Sequence, residues 1–166
     1  LAQSSPDLAI FLGDYVYEYP APIGPVRSHG LAAPLDLAGY RARYHHYKRD
    51  PDLQRMHAAC PWLVTWDDHE VQNDYAGEQP EDLAANFAAR RIAAYQAFYE
   101  HMPLRRTALV RGLAGLDQAQ AVRVDTSHGW GRLASFHLLD GRQFRDPQAC
   151  PRPGRGGQNH VTPAQC

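Results

Sequence analysis

Two short acidic segments of this chain carry side chains that could bind metal ions. The first acidic segment is Gly13-Asp-Tyr-Val-Tyr-Glu18, and the second acidic segment is Trp66-Asp-Asp-His-Glu70. Both bring carboxylates together with a phenol or an imidazole. These groups are hard or borderline donors, which suit Fe(III), Ca²⁺, Mn²⁺ or Zn²⁺ rather than soft, thiophilic metals. The two segments therefore predict a site for hard cations.

The first acidic segment could supply two ligands. Asp14 follows a glycine that lets the chain turn sharply, and the two oxygens of such a carboxylate can bridge two cations. Tyr17 lies three residues further on and could return to the same cation, because a coordinated cation lowers the pKa of a phenol and Fe(III) binds the phenolate strongly. The alternative is structural: Asp14 would cap the following turn, and the tyrosines would simply pack.

The second acidic segment combines possible ligands with a possible proton donor. Asp67 and Asp68 are adjacent carboxylates, which repel each other unless a cation or strong donors lie nearby. His69 could donate to a substrate oxygen or protonate a leaving group, and Asn73 offers a neutral carbonyl ligand. The alternative is a helix cap with a run of surface acids. Two such clusters in one chain favour a metal site, in which either aspartate could be the ligand.

Each acidic segment directly follows a short apolar run that predicts a buried strand. Residues 8–12 form the first run, and residues 62–64 form the second. The carboxyl ends of neighbouring strands meet at one edge of an open α/β sheet, which is where such sheets place their sites. We therefore expect the candidate ligands to share one pocket mouth. The Asp14 and Asp68 carboxylates should lie within about 10 Å of each other, so that they can share a dinuclear site.

Helices are predicted between these two strands, which indicates an α/β fold. Apolar residues at helical spacing predict one helix over 36–48, with Asp36 as its N-cap. A second helix is predicted over 50–59, with Asp50 as its N-cap and Pro51 in its first turn.

The second half of the chain predicts one more helix and two more strands. The longest helix is expected to begin at Pro80-Glu81-Asp82 and to end before Pro103. Its predicted inner face consists of Leu83, Phe87, Ala94, Tyr95, Phe98 and Met102. Strands are expected over 121–125 and 132–139, joined across a turn at Gly129-Trp130-Gly131.

The composition is that of one domain with its own core. The chain has 166 residues, 44% of them hydrophobic, and a formal net charge of −1. This balance presents no basic face, and we predict no specific nucleic-acid partner. No apolar run approaches the roughly 20 residues needed to cross a bilayer. No targeting signal is visible, and because the chain begins at Leu1 without a methionine and runs straight into a strand, we expect any such signal to lie upstream. We expect residues 1–166 to be a single partial domain, incomplete at both ends.

The three cysteines lack the CxxC spacing of a structural zinc site. Cys150 and Cys166 bracket a loop rich in Gly, Pro and Arg, and in an exported protein they could form a disulfide. Two free or differently paired thiols are the alternative. Cys60 is predicted to be a small buried hydrophobic residue.

The order of the motifs resembles that of the PhoD-like alkaline phosphatases and phosphodiesterases of the metallophosphoesterase superfamily. The most specific stretch is Trp66-Asp-Asp-His-Glu70, followed by Asn73-Asp-Tyr-Ala-Gly77. Further matches, in the same order as in the family, are Asp7-Leu-Ala-Ile-Phe-Leu-Gly-Asp-Tyr-Val-Tyr-Glu-Tyr19, Tyr40-Arg-Ala-Arg-Tyr44, Glu100-His-Met-Pro-Leu-Arg105 and Leu139-Asp-Gly-Arg-Gln-Phe-Arg145. Together the matches cover most of the chain.

The resemblance implies a metallophosphoesterase-like sheet core flanked by helices, with a metal centre at the strand ends. It implies Fe(III) and Ca²⁺ as cofactors, with other divalent metals as alternatives. The implied reaction is hydrolysis of phosphomonoesters or phosphodiesters by water that the cations activate. The resemblance also implies export to the periplasm, the cell surface or the medium.

The resemblance also carries residue roles over by position. Asp14 and Tyr17 match metal ligands in a GDxxY motif. The family's second acidic motif is matched by Asp67, Asp68, His69 and Asn73, in which we expect His69 to be the catalytic histidine.

Two family motifs have no counterpart in the chain, since one would lie before Leu1 and the other after Cys166. The chain therefore carries about half of the expected ligands, and we expect residues 1–166 alone to be inactive. A calcium-binding structural module and a pseudoenzyme without turnover are the alternatives. A histidine beside Asp68 argues against the first, because Ca²⁺ sites seldom use histidine.

Overall fold

The computed structural model describes residues 4–20, 28–81, 86–108, 122–150, 161–162 and 164. In chain order, the elements are β1 (Ala9–Phe11), α1 (Leu37–Lys48), α2 (Pro51–Ala59), β2 (Trp62–Val64), α3 (Phe87–His101), a 3₁₀ turn (Arg106–Ala108), β3 (Thr126–Trp130) and β4 (Ala134–Leu138). Helices thus combine with two small sheets, in agreement with the predicted α/β class.

The strands β1 and β2 form a parallel pair, as the sequence predicted. Ala9 lies opposite Trp62, and Phe11 lies opposite Val64. The backbone N–H of Thr65 donates to the Phe11 carbonyl (3.1 Å), so the pairing continues to the ends of both strands. Parallel strands present their carboxyl ends at the same edge, and the two acidic segments therefore leave the pair side by side.

The helices α1 and α2 begin where the caps were predicted. The Asp36 carboxylate accepts the backbone N–H of Gly39 (2.8 Å). The Asp50 carboxylate accepts two backbone N–H groups of the first turn of α2, and Pro51 lies in that turn. These bonds satisfy donors that a helix leaves without intrahelical partners. Both helices therefore have well-defined starts in the connection between β1 and β2.

The helix α3 begins later than predicted. Asn86 is left-handed (φ 61°), and the helix starts at Phe87. Glu81 lies in a bend, and residues 82–85, which include Leu83, lie outside the described residues. The predicted start at Pro80 is wrong, because a left-handed residue interrupts helical backbone. The rest of the predicted inner face is buried, namely Phe87, Ala94, Tyr95, Phe98 and Met102.

The second sheet is an antiparallel hairpin, and its position also differs from the prediction. β3 and β4 pair along their whole length. The turn falls on residues 131–133 rather than 129–131, and residues 122–125 form no regular strand. Val122 and Val124 are buried. Their alternation with polar residues thus reflects burial against the core.

Aromatic side chains pack around the start of the second acidic segment. Trp66 stacks on Tyr95 of α3 (4.3 Å between ring centroids, 5° between planes) and meets Phe98 edge-on at 5.2 Å. Aromatic pairs of this kind contribute about 1 kcal/mol beyond the area that they bury. Trp66 directly precedes Asp67, so this packing anchors the second acidic segment to α3.

The described cysteines differ in their chemical state. Cys150 is disulfide-bonded, and Cys60 is a free, half-buried thiol. Cys166, the predicted partner of Cys150, lies outside the described residues. Within the described ranges, no helix is long and apolar enough to cross a membrane.

Candidate metal centre

The two acidic segments touch at Gly13. Its backbone is left-handed (φ 104°), and a Cβ added there would lie 2.4 Å from the backbone nitrogen of Asp67 and 2.5 Å from its Cβ. Glycine is the residue that fits such a close approach of two backbones. Asp14 also has a positive φ of 55°. Non-glycine residues in such regions cost about 1–3 kcal/mol and concentrate at functional sites.

Asp14, Asp68 and His69 form a cluster that could hold a cation. One ligand atom from each of them lies within 4.8 Å of the other two. Oδ1 of Asp14 is buried and has no hydrogen-bond partner among the described residues. Such an atom is costly to bury. A buried oxygen without a donor, beside a second carboxylate and an imidazole, fits a hard cation.

The charges around Asp14 also favour a cation. Burial raises the pKa of Asp14, the nearby His69 lowers it, and the Asp68 and Asp67 carboxylates raise it again, so the net pKa is above the ordinary value. Neighbouring carboxylates disfavour each other's ionisation. A cation between them would remove this repulsion and stabilise the ionised forms.

Glu18 reaches from the first acidic segment to the second. Its Oε2 lies 2.8 Å from Nδ1 of His69, and its Oε1 accepts the backbone N–H of Asn73 (2.7 Å). Burial lowers the pKa of His69, but the hydrogen bond and charge of Glu18 and the nearby Asp68 and Asp14 raise it above the ordinary value. Because Nδ1 faces Glu18, Nε2 is the nitrogen left for a substrate oxygen or a metal.

Tyr17 contacts the same cluster. Its hydroxyl donates to Oδ2 of Asp14 (3.3 Å), and its ring centroid lies 4.4 Å from that of His69. Burial raises the pKa of Tyr17, and Asp14 raises it further. The phenol is therefore protonated at neutral pH, and ligation as a phenolate would need a highly charged cation beside it.

Arg142 binds the aspartates of the second acidic segment. Its Nε donates to Oδ1 of Asp67 (2.6 Å), and Nη2 lies 3.3 Å from Oδ1 of Asp68. Nη1 donates to Oδ1 of Asp74 (3.3 Å), whose backbone N–H donates to Oδ2 of Asp68 (2.6 Å). Burial lowers the pKa of Arg142, but Asp67 and Asp68 raise it above the ordinary value. The guanidinium thus neutralises part of the acidic charge here.

Glu70 is buried at the joint between the two segments, with 1% of its surface exposed. Its Oε1 accepts the backbone N–H of Tyr15 (2.5 Å), and its Oε2 accepts the backbone N–H of Asp67 (2.9 Å). Burial raises the pKa of Glu70 to about 7, although these backbone donors act in the opposite direction. The backbone N–H groups therefore stabilise the ionised form of Glu70.

Four of the predicted site residues lie together, and two lie at the edge of the cluster. The four are Asp14, Tyr17, Asp68 and His69. Asp67 is bound by Arg142, and 41% of the Asp67 side chain is exposed. Asn73 borders them through Glu18, and its side-chain amide donates to Glu81 (2.7 Å). The predicted closeness of Asp14 and Asp68 is confirmed, whereas the ligand and catalytic roles stay predictions.

Three residues of the site were missed by sequence reasoning. Glu18 and Glu70 end the two acidic segments, and acids so close to predicted buried strands could have been expected to be buried. Arg142 carries no comparable signal, because it lies 75 residues from Asp67 and no local spacing connects the two.

Comparisons with known proteins fit this geometry. The family model described as PhoD-like phosphatase matches residues 1–165. Alkaline phosphatase D of Bacillus subtilis (strain 168) is 47% identical over 156 residues, which cover 90% of this chain and 26% of that protein. A solved structure described as "Structure of PhoD" matches with a TM-score of 0.78 and 42% identity, covering 90% of this chain and 29% of that one. The chain therefore spans less than a third of the length of these relatives.

Proposed function

Because this chain belongs to the PhoD-like phosphatase family, we propose that it forms part of a phosphoesterase that hydrolyses phosphomonoesters or phosphodiesters with the help of bound cations. The observation that carries the proposal is the cluster of Asp14, Asp68 and His69. Within the described part of the chain, the buried Oδ1 of Asp14 has no hydrogen-bond donor. Buried carboxylate oxygens are almost always paired, so a cation accounts for this one better than a hydrogen-bond network does.

The first-choice ligands are Asp14, Tyr17 and Asp68. Cations held by them would neutralise phosphate oxygens and acidify a water that serves as the nucleophile. Asp14 would offer Oδ1 to a cation, since this oxygen has no donor among the described residues, and its Oδ2 accepts the Tyr17 hydroxyl. The backbone N–H of Asp74 holds Asp68 in place by its Oδ2.

Of the two adjacent aspartates, the contacts favour Asp68 as the ligand. Asp68 belongs to the cluster, whereas Asp67 is more exposed and is bound by Arg142. Asp67 remains a second candidate, because movement of the guanidinium would release its carboxylate. Asn73 is a further candidate, supported by the bond between its backbone N–H and Glu18.

We assign to His69 the donation of a hydrogen bond to a phosphoryl oxygen or of a proton to the leaving alkoxide. Glu18 orients the ring through Nδ1, and its hydrogen bond and charge raise the pKa of His69, which favours the protonated form. A protonated Nε2 can stabilise negative charge that develops on oxygen during hydrolysis. The Tyr17 ring packs against the imidazole and limits its rotation.

The proposed cations are Fe(III) and Ca²⁺, the pair that the family resemblance implies, and the proposed location is outside the cytoplasm. Tyr17 supports Fe(III), because a trivalent cation is best able to draw the proton from a phenol. The disulfide at Cys150 supports export, because disulfides persist in oxidising compartments. Metal analysis of the protein isolated from its native compartment tests both points, and a cytoplasmic protein with a reduced Cys150 would contradict export.

Residues 1–166 are further proposed to be one part of a single catalytic domain, inactive by themselves. The four clustered residues supply fewer donor atoms than the roughly 8–16 that two cations need. A loosely held ligand set should lower the rate by about a hundredfold or more. The test compares hydrolysis by the 166-residue chain with that by the full-length protein that contains it. Similar rates would contradict this part of the proposal.

The main test is Asp14→Asn in the full-length protein. We expect hydrolysis of chromogenic phosphomonoesters and phosphodiesters to fall by about a hundredfold or more, with loss of bound metal and little change in melting temperature. The matched control is Asp52→Asn, because the Asp52 carboxylate is 83% exposed on α2. Full activity and metal content in Asp14→Asn would contradict the proposal.

The same assay separates the rival functions. If the unmodified protein binds cations but hydrolyses neither ester, a calcium-binding structural module or a pseudoenzyme is the better explanation.

A further inference from the structure

The carboxylate of Glu70 joins the two acidic segments without belonging to the cluster. Its Oε1 accepts the backbone N–H of Tyr15 (2.5 Å), and its Oε2 accepts the backbone N–H of Asp67 (2.9 Å). Tyr15 directly follows Asp14, and Asp67 directly precedes Asp68. A single side chain therefore binds the backbone next to both first-choice carboxylate ligands.

The surroundings of Glu70 allow its carboxylate little freedom. The side chain is 1% exposed, and each carboxylate oxygen accepts a backbone N–H. Burying a carboxylate is costly unless donors satisfy its oxygens. Backbone donors are also tied to the course of the chain and cannot turn away as side-chain donors can. Separation of the two segments would break the hydrogen bond between Tyr15 and Glu70.

Gly13 limits the same distance from the opposite direction. The backbones already touch there, since an added Cβ would lie 2.4 Å from the nitrogen of Asp67. Steric contact at Gly13 thus prevents the segments from moving closer together. The hydrogen bond from Tyr15 to Glu70 opposes their moving apart, and the hydrogen bond from Asp67 holds the Glu70 carboxylate in place within its own segment.

We propose that Glu70 is a positioning residue that sets the distance between Asp14 and Asp68, and with it the spacing of the cations that they would hold. This inference rests on the proposed function. Two-cation sites work with metals about 3.5–4 Å apart, so a small error in ligand spacing matters. Glu18 acts differently, because it contacts His69 directly.

Two substitutions in the full-length protein distinguish the contribution of the Glu70 charge from that of its side-chain length. Glu70→Gln keeps the length of the side chain, but its amide NH₂ group, a donor, would face a backbone N–H, which is also a donor. Glu70→Asp keeps the charge but is one methylene too short to bind both segments. The probe is Tb³⁺, a hard cation whose luminescence lifetimes in H₂O and D₂O report the number of coordinated waters. We expect both variants to bind Tb³⁺ roughly 10–100-fold more weakly, with more coordinated water.

A control distinguishes positioning from general stability. Asp36→Ala removes the exposed N-cap carboxylate of α1, which accepts the backbone N–H of Gly39, and should lower the melting temperature. It should leave Tb³⁺ affinity, coordinated water and kcat unchanged. In contrast, kcat of the Glu70 variants should fall by about a hundredfold, because the ligands are misplaced. If the Glu70 variants behave like Asp36→Ala, the inference is overturned.

A measurement on the unmodified protein covers the case in which neither Glu70 variant folds. The backbone N–H groups of Tyr15 and Asp67 should then exchange with solvent about a hundredfold more slowly than those of exposed turns. Exchange at the rate of an exposed turn at either position would overturn the inference. Failure of the unmodified protein to bind Tb³⁺ would instead overturn the proposed function, and the inference with it.

Discussion

The first and second acidic segments meet at one site, but different interactions hold them there. The first segment packs its backbone against the second at Gly13 and is bound through the N–H of Tyr15 to the buried carboxylate of Glu70. The aspartates of the second segment are bound by the guanidinium of Arg142. We refer to these as the Gly13 contact and the Arg142 ion pairs.

The Gly13 contact depends on shape, whereas the Arg142 ion pairs depend on charge. The Gly13 contact is a steric fit between two backbones, and a bound cation cannot replace it. The Arg142 ion pairs neutralise carboxylates, and a cation near Asp68 could supply the same positive charge. The Gly13 contact should therefore respond to added atoms, and the Arg142 ion pairs should respond to charge and to metal.

The largest effect is expected from Gly13→Ala. The added Cβ would overlap Asp67, and we expect the free energy of unfolding to fall by roughly 2–3 kcal/mol. Gly131→Ala is the matched control: Gly131 also has a positive φ (54°), but nothing lies within 4 Å of an added Cβ. That control should lose about 1 kcal/mol from backbone strain alone. Denaturant unfolding measures both, and equal losses would contradict the steric account.

A somewhat smaller effect, dependent on metal, is expected from Arg142→Met. The substitution leaves three neighbouring aspartates without their guanidinium. We expect a loss of about 2 kcal/mol, less than for a fully buried pair because Asp67 is 41% exposed. Added Ca²⁺ should raise the melting temperature of this variant more than that of the unmodified protein. An identical response to Ca²⁺ would show that Arg142 does not act through charge.

The control for this substitution is Arg123→Met. Arg123 pairs with Asp125, and its side chain is 57% exposed. Exposed pairs contribute little to stability. The control should therefore neither lower the melting temperature appreciably nor alter its response to Ca²⁺.

A still smaller effect on stability is expected from Tyr17→Phe. The long hydrogen bond to Asp14 (3.3 Å) is lost, but the ring that packs on His69 remains. The free energy of unfolding should change by no more than about 0.5 kcal/mol. Fe(III) affinity should fall more than Ca²⁺ affinity, because only the phenol can become a phenolate. Equal changes in the two affinities, measured by metal titration, would argue against Tyr17 as a ligand.

The smallest effect is expected from Glu100→Gln, which breaks another pair between arginine and a carboxylate. Arg41 donates to both Glu100 oxygens (2.6 Å each), but the pair lies at the surface. The hydrogen bonds from Arg41 lower the pKa of Glu100. The stabilising effect of this ion pair is therefore present above the pKa that Glu100 has in the unfolded chain. It is lost as the pH falls through the lower pKa that Glu100 has in the folded protein.

This pH dependence can be checked by thermal melting. The small difference in melting temperature between Glu100→Gln and the unmodified protein should vanish in acid. A difference that persists at low pH would show that something other than the ion pair is responsible. The loss of stability in Glu100→Gln can be compared with the loss in Arg142→Met. The difference measures how much burial adds to an ion pair between arginine and a carboxylate.

Features that depend on neighbours along the chain were predictable from the sequence. The starts of α1 and α2 follow from Asp36 and Asp50, whose carboxylates accept N–H groups a few residues away. The placement of Asp14 and Asp68 follows from the apolar runs before them, since parallel strands present their ends at one edge. Local caps and strand ends therefore fixed the outline of the candidate site.

Features that depend on contacts across the fold were not predictable in this way. The late start of α3 depends on a left-handed Asn86, and the acidic residues before it suggested a helix start instead. Val122 and Val124 alternate as a strand would, yet they pack on the core. Likewise, nothing local indicates that Arg142 binds Asp67 or that Glu70 binds Tyr15, because side-chain reach between distant segments leaves no periodic pattern.

The bond between Glu70 and Tyr15 joins residues 55 positions apart, and so does the bond between Glu18 and Asn73. This separation has a consequence for the order of folding. The helices α1 and α2 lie in the intervening chain and can form within about a microsecond from local interactions. Closing the whole loop costs conformational entropy before any contact across it is gained. We therefore expect the geometry of the candidate cation site to form late in folding, after the two strands have paired.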